Sequence, residues 1–213
     1  MTSILLATRS EPKAREIQAI LRPLRLEVAD LRQLDVPFDP VEDELEEFDT
    51  FRDNALAKAR WFASRLQRVT MADDSGLRVD ALGGRPGVRT KRFSGRDDLS
   101  GLDLDEANNQ RLIQELEGVP EDRRGARYVC CAAIAWPDGN ALVTLGTVGG
   151  AITREPRGGG GFGYDPLFQV PELGARFAEV PVSVKNAMSH RARAFRALGA
   201  LIIRAPWPLR PTG

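Results

Sequence analysis

The stretch MADDSGLRVDALGG, Met71 to Gly84, places two adjacent carboxylates, Asp73 and Asp74, directly after an apolar lead-in of Val69, Met71 and Ala72. Ser75 and Gly76 follow, and the chain then turns apolar again. A carboxylate with an ordinary pKa of about 3.9 is ionised at neutral pH. Two such charges at the end of a buried strand need cations. Magnesium is the natural one, because it binds through one or two carboxylates together with water and a substrate phosphate. Manganese accepts the same oxygen donors. The plain alternative is a turn with solvated aspartates. The spacing is not the aspartate-x-aspartate of the haloacid-type phosphatases.

Three other stretches carry chemistry-bearing residues. Ala7 to Lys13 reads as a strand running into a helix N-terminus, which offers unpaired N–H groups and a positive dipole end to phosphate. Thr8 and Ser10 add hydroxyls there and Lys13 an ammonium, without the glycine fingerprint of a dinucleotide site or a Walker loop. The plain reading is a capped helix with a surface lysine. Gly158 to Gly161 let a backbone approach a ligand closely. They lead into Phe162, Gly163, Tyr164 and Asp165, where Phe162 can stack on a flat ring and Asp165 can accept hydrogen bonds. A flexible loop whose aromatic plugs the core is the competing reading. In KNAMSHR, Ser189 as N-cap sets His190 and Arg191 in a first helical turn, with Lys185 just before. Basic groups there oppose the helix dipole, and an anion between them would relieve the conflict. A solvated basic surface would look the same.

Composition narrows the field. Thirty basic and thirty acidic side chains cancel, which argues against nucleic-acid binding through bulk charge. His190 is the only histidine, so a histidine-rich metal cluster is excluded and any metal must rely mainly on oxygen. Cys130 and Cys131 are the only cysteines; as strand neighbours they point to opposite faces and are not expected to pair with each other. With no disulfide framework, no charged leader and no run near the roughly 20 apolar residues of a membrane span, a cytoplasmic protein is expected.

The elements that must position these residues alternate between helix and strand. Ser3 to Thr8 reads as a strand. A helix follows from Ser10 with Ile17, Ile20 and Leu21 at helical spacing, ended by Pro23. Thr50 with Asp53 resembles a capping box for a second helix with Leu56, Ala59, Phe62, Ala63 and Leu66 on one stripe. Val69 to Ala72 and Leu77 to Leu82 are expected as two strands, with the aspartates at the end of the first. Asp105 to Leu116 is a helix, Tyr128 to Trp136 and Ala141 to Val148 a hairpin across Pro137 to Asn140, and Ser189 starts a last helix. The pattern predicts an α/β fold with a mixed sheet, in a single domain over residues 1–204 with a proline-rich tail over 205–213.

In this order, LLATRSEPKAREI, FRDNALAKAR, ADDSGLRVDALGGRPGV with RFSG, GGFGYDPLF and SHRARA resemble the inosine triphosphate pyrophosphatase family, and they span nearly the whole chain. The resemblance implies an elongated two-lobed α/β fold with a long central sheet flanked by helices and the active site in the cleft between lobes. It also implies a homodimer, a magnesium ion, and hydrolysis of non-standard purine nucleoside triphosphates (ITP, dITP, XTP) to monophosphate and pyrophosphate. By position, Thr8, Ser10 and Lys13 match the family's triphosphate-binding turn, and Asn54 and Lys58 its second helix. Asp74 matches the residue assigned as general base and metal ligand, with Asp73 and Ser75 beside it. Phe162 to Asp165 match the base pocket, which Lys185, His190 and Arg191 close. Glu46 best matches the second metal carboxylate, with Glu47 as its competitor. The usual Thr-Gly-Asn turn reads Thr8-Arg9-Ser10 here. Arg89 and Lys91 replace an aromatic and a small residue, and Ser183 and Val184 replace acidic residues.

Two rivals share many of these residues. A non-catalytic purine nucleotide sensor would keep the same pocket. A serine hydrolase using Ser75 or Ser189 with His190 would lack the G-x-S-x-G elbow.

Overall fold

The computed structural model describes residues 3–204; the tail expected over 205–213 lies outside the described residues. The described chain forms two compact units. The first contains residues 3–74, 130–146 and 189–204, and the second residues 75–129 and 147–188. Seven strands form one mixed sheet in the order β2-β1-β3-β4-β5-β6-β7. They are β1 (Ile4–Leu6), β2 (Val28–Asp30), β3 (Thr70–Val79), β4 (Gly125–Ala135), β5 (Ala141–Ile152), β6 (Phe168–Val170) and β7 (Ala175–Arg176). The helices are α1 (Glu11–Leu21), α2 (Phe51–Leu66), α3 (Gly101–Glu115), α4 (Val182–Met188) and α5 (His190–Arg204). The expected α/β class with a mixed sheet and flanking helices is the observed one.

In the first unit β1 runs parallel to both β2 and β3. The two-residue period sorts side chains to opposite faces. Ile4, Leu6, Met71, Cys130, Ala132 and Ile134 form one core cluster with Ile17, Ile20 and Leu21 of α1 and Ala194, Phe195, Leu198 and Ile202 of α5. The approach of α5 to β5 is close: a Cβ at Gly146 would run into the His190 carbonyl and the Ala194 nitrogen. Helix α2 begins as its sequence predicts, with the Thr50 hydroxyl accepting from the Asp53 amide at 3.1 Å.

One expectation is corrected here. Val69 to Ala72 and Leu77 to Leu82 are not two strands with the aspartates between them. Thr70 to Val79 is a single ten-residue strand, and Asp73, Asp74 and Ser75 lie in its middle, all buried. Asp-Ser-Gly is turn chemistry in an isolated peptide. The strand continues because helix side chains reach both carboxylates. The chain turns only at the short 3-10 segment Asp80–Leu82 and Gly83. The third helix also starts earlier than expected, at Gly101 rather than Asp105.

The core of the second unit joins Leu77 and Val79 of β3, Leu112 and Leu116 at the end of α3, and the aromatic rings of Tyr128, Tyr164, Phe168 and Phe177. Tyr128 and Phe168 centroids lie 4.6 Å apart, and Phe168 stacks on Phe177 at 5.6 Å. Buried Arg124 donates to the carbonyls of Leu116, Ile152 and Thr153, so it satisfies backbone acceptors at the end of α3 and of β5. Among the described residues no helix is long and apolar enough to cross a membrane.

Candidate active site

The expected site residues fall into one group in each unit. In the first unit, alternation along β3 sends the two aspartates to different partners. Asp73 lies on the side of α1 and α5. Lys13 Nζ, in the first turn of α1, is 3.4 Å from its Oδ2, and Arg191 Nε, at the start of α5, is 3.6 Å away. Arg191 also donates to Glu16 of α1, a buried ion pair. Burial alone would lower the Arg191 pKa, but the charges of Asp73 and Glu16 outweigh it and hold the guanidinium firmly protonated. Asp74 points toward α2, where Asn54 Nδ2 donates to its Oδ2 at 2.8 Å. The same Asn54 accepts from the Phe48 amide at 2.8 Å, fixing its amide orientation. The two cysteines follow the same alternation. The Cys130 thiol feels Asp73 and Arg191 and the Cys131 thiol feels Asp74 and Arg52, and burial raises both, Cys131 to about 11.

Asp74 is electrostatically the least settled carboxylate. Burial pushes its pKa up to about 6, and Lys13, the Asn54 hydrogen bond and Lys58 only partly counter this while Glu46 reinforces it. Lys58 of α2 pairs with Glu46. Burial opposes the charge on each. Even so, Glu46 is lowered by Lys58 and Lys13, and Lys58 is raised by Glu46, Asp73 and Asp74. Lys13, Glu46, Lys58, Asp73 and Asp74 therefore form one electrostatic group, and Glu46 rather than Glu47 belongs to it. Thr8 and Ser10 stand at the start of α1. Ser10 occupies the N-cap position but its side chain caps nothing; instead its amide donates to Thr8 Oγ1 at 3.1 Å.

These donors fit a hard dication. Asp74, whose charge burial disfavours, and Glu46, which feels the same cations Lys13 and Lys58, could supply carboxylate oxygens. Among the described residues no three histidine, cysteine or acidic side chains close a metal site by themselves. Magnesium does not require them to, since it retains waters and takes substrate phosphate oxygens.

The second unit holds the glycine loop. Each residue from Phe162 to Asp165 is fixed by a hydrogen bond. The Phe162 amide donates to Asp165 Oδ2 at 3.0 Å. The Gly163 amide donates to Asp105 Oδ2 at 2.7 Å, and its carbonyl accepts from Asn109 Nδ2 at 3.0 Å. The Tyr164 hydroxyl donates to the Thr90 carbonyl at 2.8 Å. Lys185, expected just before the last helix, sits on α4, a helix that the sequence reading missed. It is buried, paired with Asp165, and lies 4.6 Å from the Phe162 ring centroid. Asp165 thus anchors the loop from beneath. Asp105 is raised by burial and by the charge of Asp165, against the Gly163 N–H and Lys91. Gly161 is required: its φ is +73°, and a Cβ there would meet the Asp165 carboxylate. Gly161→Ala is expected to destabilise the protein by about 1–3 kcal/mol, from left-handed strain and a displaced Asp165, read as a lower urea midpoint.

Sequence reasoning missed Glu16, Asn109 and Asp105, and used Asp73 without its partners. The signal for Glu16 was an acidic residue on the apolar stripe of α1 beside Ile17 and Ile20. For α3 it was the pair Asn108–Asn109, of which Asn108 is buried and bridges the Ser94 amide and the Lys91 carbonyl. The serine hydrolase reading loses Ser189, whose hydroxyl caps α5 by accepting from the Ala192 amide at 3.1 Å.

The Ham1 family model matches residues 4–201. A protein of Geobacter sulfurreducens named dITP/XTP pyrophosphatase is 47% identical over 199 residues, covering 93% of this chain and 95% of its own. Another of that name from Geobacillus kaustophilus is 44% identical, with 93% of each covered. The solved structure of a HAM1 protein from Coxiella burnetii superposes with a TM-score of 0.82 at 34% identity, covering 96% of this chain and all of that one. With a match over almost its whole length, upholding the resemblance its motifs carry, the chain belongs to the Ham1 family.

Proposed function

We propose that the protein hydrolyses non-standard purine nucleoside triphosphates, dITP, ITP and XTP, to the nucleoside monophosphate and pyrophosphate, clearing them from the cytoplasmic nucleotide pool as a homodimer. The observation that carries this reading is the group around Asp74: a buried carboxyl raised to about 6, held by Asn54, among Lys13, Lys58, Glu46 and Asp73. A carboxylate with that pKa is ionised at pH 8 yet basic enough to take a proton from water, which is what a general base needs. Its neighbours are cations suited to a polyphosphate. Lys13 and Lys58 hold phosphate oxygens by charge, the open N-terminus of α1 adds N–H donors, and Thr8 and Ser10 orient the chain entering it.

Asp74 and Glu46 would hold magnesium, which when bound offsets phosphate charge and makes pyrophosphate a better leaving group. Asp73, set between Lys13 and Arg191, keeps these two cations in place. Ser75 lies beside the substrate. In the glycine loop Phe162 offers its ring to the purine, and Gly163 and Tyr164 give the backbone a fixed outline. Lys185 and His190 complete the set. A 6-oxo purine presents an acceptor where adenine presents an amino donor, so a donor built for it rejects adenine by leaving a buried group unpaired.

A pyrophosphate-release assay with magnesium is expected to show turnover of dITP, ITP and XTP, ATP slower by on the order of 10⁴, and loss of all turnover in EDTA. Comparable turnover of ATP and ITP would overturn the account of the base site. Undiminished turnover in EDTA would overturn the role of the acidic group.

A further inference from the structure

Arg9 stands where the family's phosphate turn has glycine, and no role proposed above uses it. Its guanidinium is committed. Nε and Nη2 donate to the two carboxylate oxygens of Glu42 at 3.0 and 2.7 Å. Nη1 donates to the Val36 carbonyl at 2.8 Å and Nη2 to the Pro37 carbonyl at 2.9 Å. The Phe38 ring lies beneath, 5.8 Å from the guanidinium carbon to the centroid. Glu42 in turn accepts from the Asp39 amide at 3.0 Å, closing a reciprocal cap on the short 3-10 segment Pro40–Glu44. Two residues past that segment comes Glu46, paired with Lys58.

A planar fork meeting both oxygens of one carboxylate and two carbonyls is a geometry an ammonium cannot reproduce. Arg9 is half exposed, but Glu42 is largely buried, so the contact is not the solvated single pair that contributes little. The chain from Val36 to Leu45 is otherwise irregular apart from one 3-10 turn, so its placement depends on such side-chain ties.

We propose that Arg9 is a positioning residue. It fastens the 36–46 segment to the Thr8–Ser10 turn, so that Glu46 is already in place when dication and phosphate bind. The inference rests on the reading of Glu46 as a metal carboxylate.

The test has two arms. In the first, hydrogen exchange is measured on the nucleotide-free, metal-free full chain. Arg9→Ala and Glu42→Ala should each speed exchange in peptides covering 36–47 and leave α1 and α5 unchanged. In the second, the magnesium concentration for half-maximal dITP turnover should rise roughly 10- to 100-fold in both variants, the effect seen when a group that orients a metal ligand is removed. The rate at saturating magnesium should change far less. The double variant should be no worse than either single one, and Arg9→Lys should fail to restore wild-type behaviour. Unchanged exchange over 36–47 would overturn the latch. So would a fall in saturated rate with an unchanged magnesium requirement, which would make Arg9 a phosphate contact instead. Should the wild type release no pyrophosphate from dITP, the functional reading fails, while the exchange arm still decides whether Arg9 holds the segment.

Discussion

Asp74→Asn is expected to abolish pyrophosphate release and at the same time to make the nucleotide-free protein more stable at pH 8. Both effects come from one cause. Asp74 is buried in mid-strand, and its folded pKa of about 6 lies above the ordinary carboxylate value because burial disfavours the charge. The folded state therefore binds a proton that the unfolded state has already lost between about pH 4 and pH 6. Stability falls as pH rises through that window, and the full penalty is present above it. A gap of this size corresponds to about 3 kcal/mol. Asparagine keeps the size and an acceptor for Asn54 Nδ2, and it carries no charge. The variant should thus melt above the wild type at pH 8, with the difference closing near pH 4. Magnesium should narrow the gap at pH 8 by stabilising only the wild type. Turnover should fall by roughly 10³-fold or more, the scale of losing a general base together with its electrostatic role. Unfolding curves at pH 4 and pH 8, with pyrophosphate release on the same samples, check both halves. A variant less stable than the wild type at pH 8 would refute the electrostatic account of Asp74. A non-catalytic sensor would show the stability change with no activity to lose.

How much of this was legible in the sequence depends on how local each signal is. Helices α1, α2 and α5 carry apolar stripes within one or two turns, and they start where Ser10, Thr50 and Ser189 place them, although only Thr50 and Ser189 cap through their side chains. Strands β2, β6 and β7, of two or three residues, are too short to show a period, and α4 is a seven-residue helix after Pro181. Strand β3 was misread for a deeper reason. Asp73-Asp74-Ser75-Gly76 has the composition of a turn, and only residues distant in sequence reverse that preference: Lys13 and Arg191 for Asp73, and Asn54 for Asp74. The family was readable because the motifs are long and specific. Their pairing was not. Nothing local says that Arg191 holds Glu16 and Asp73, that Lys185 holds Asp165, or that α3 pins Gly163 from both sides.

Arg191 is the position where that hidden pairing has the largest expected consequence for stability. Arg191→Ala would leave Glu16 and Asp73 buried, with Lys13 at 3.4 Å from Asp73 as a remaining cation. Removing one partner of a buried pair costs about 3–5 kcal/mol, because the surviving charge keeps its desolvation cost and loses its compensation. That is a large share of the ~5–15 kcal/mol that holds a protein folded. The melting temperature should drop by about 10 °C. Arg191→Lys should recover only part of this, since one ammonium cannot serve both Glu16 and Asp73 in the way the guanidinium does. Glu16→Leu combined with Arg191→Leu should be more stable than Arg191→Ala, because it removes an unpaired carboxylate and extends the apolar contact between α1 and α5. Thermal melts of the three variants separate this role from direct substrate contact. If Arg191 chiefly bound nucleotide, Arg191→Ala would raise KM and leave the melting temperature near that of the wild type. If it chiefly holds the acidic pair, the melting temperature falls first and the double replacement restores it without restoring turnover, because Asp73 then loses the cation that orients it beside Asp74.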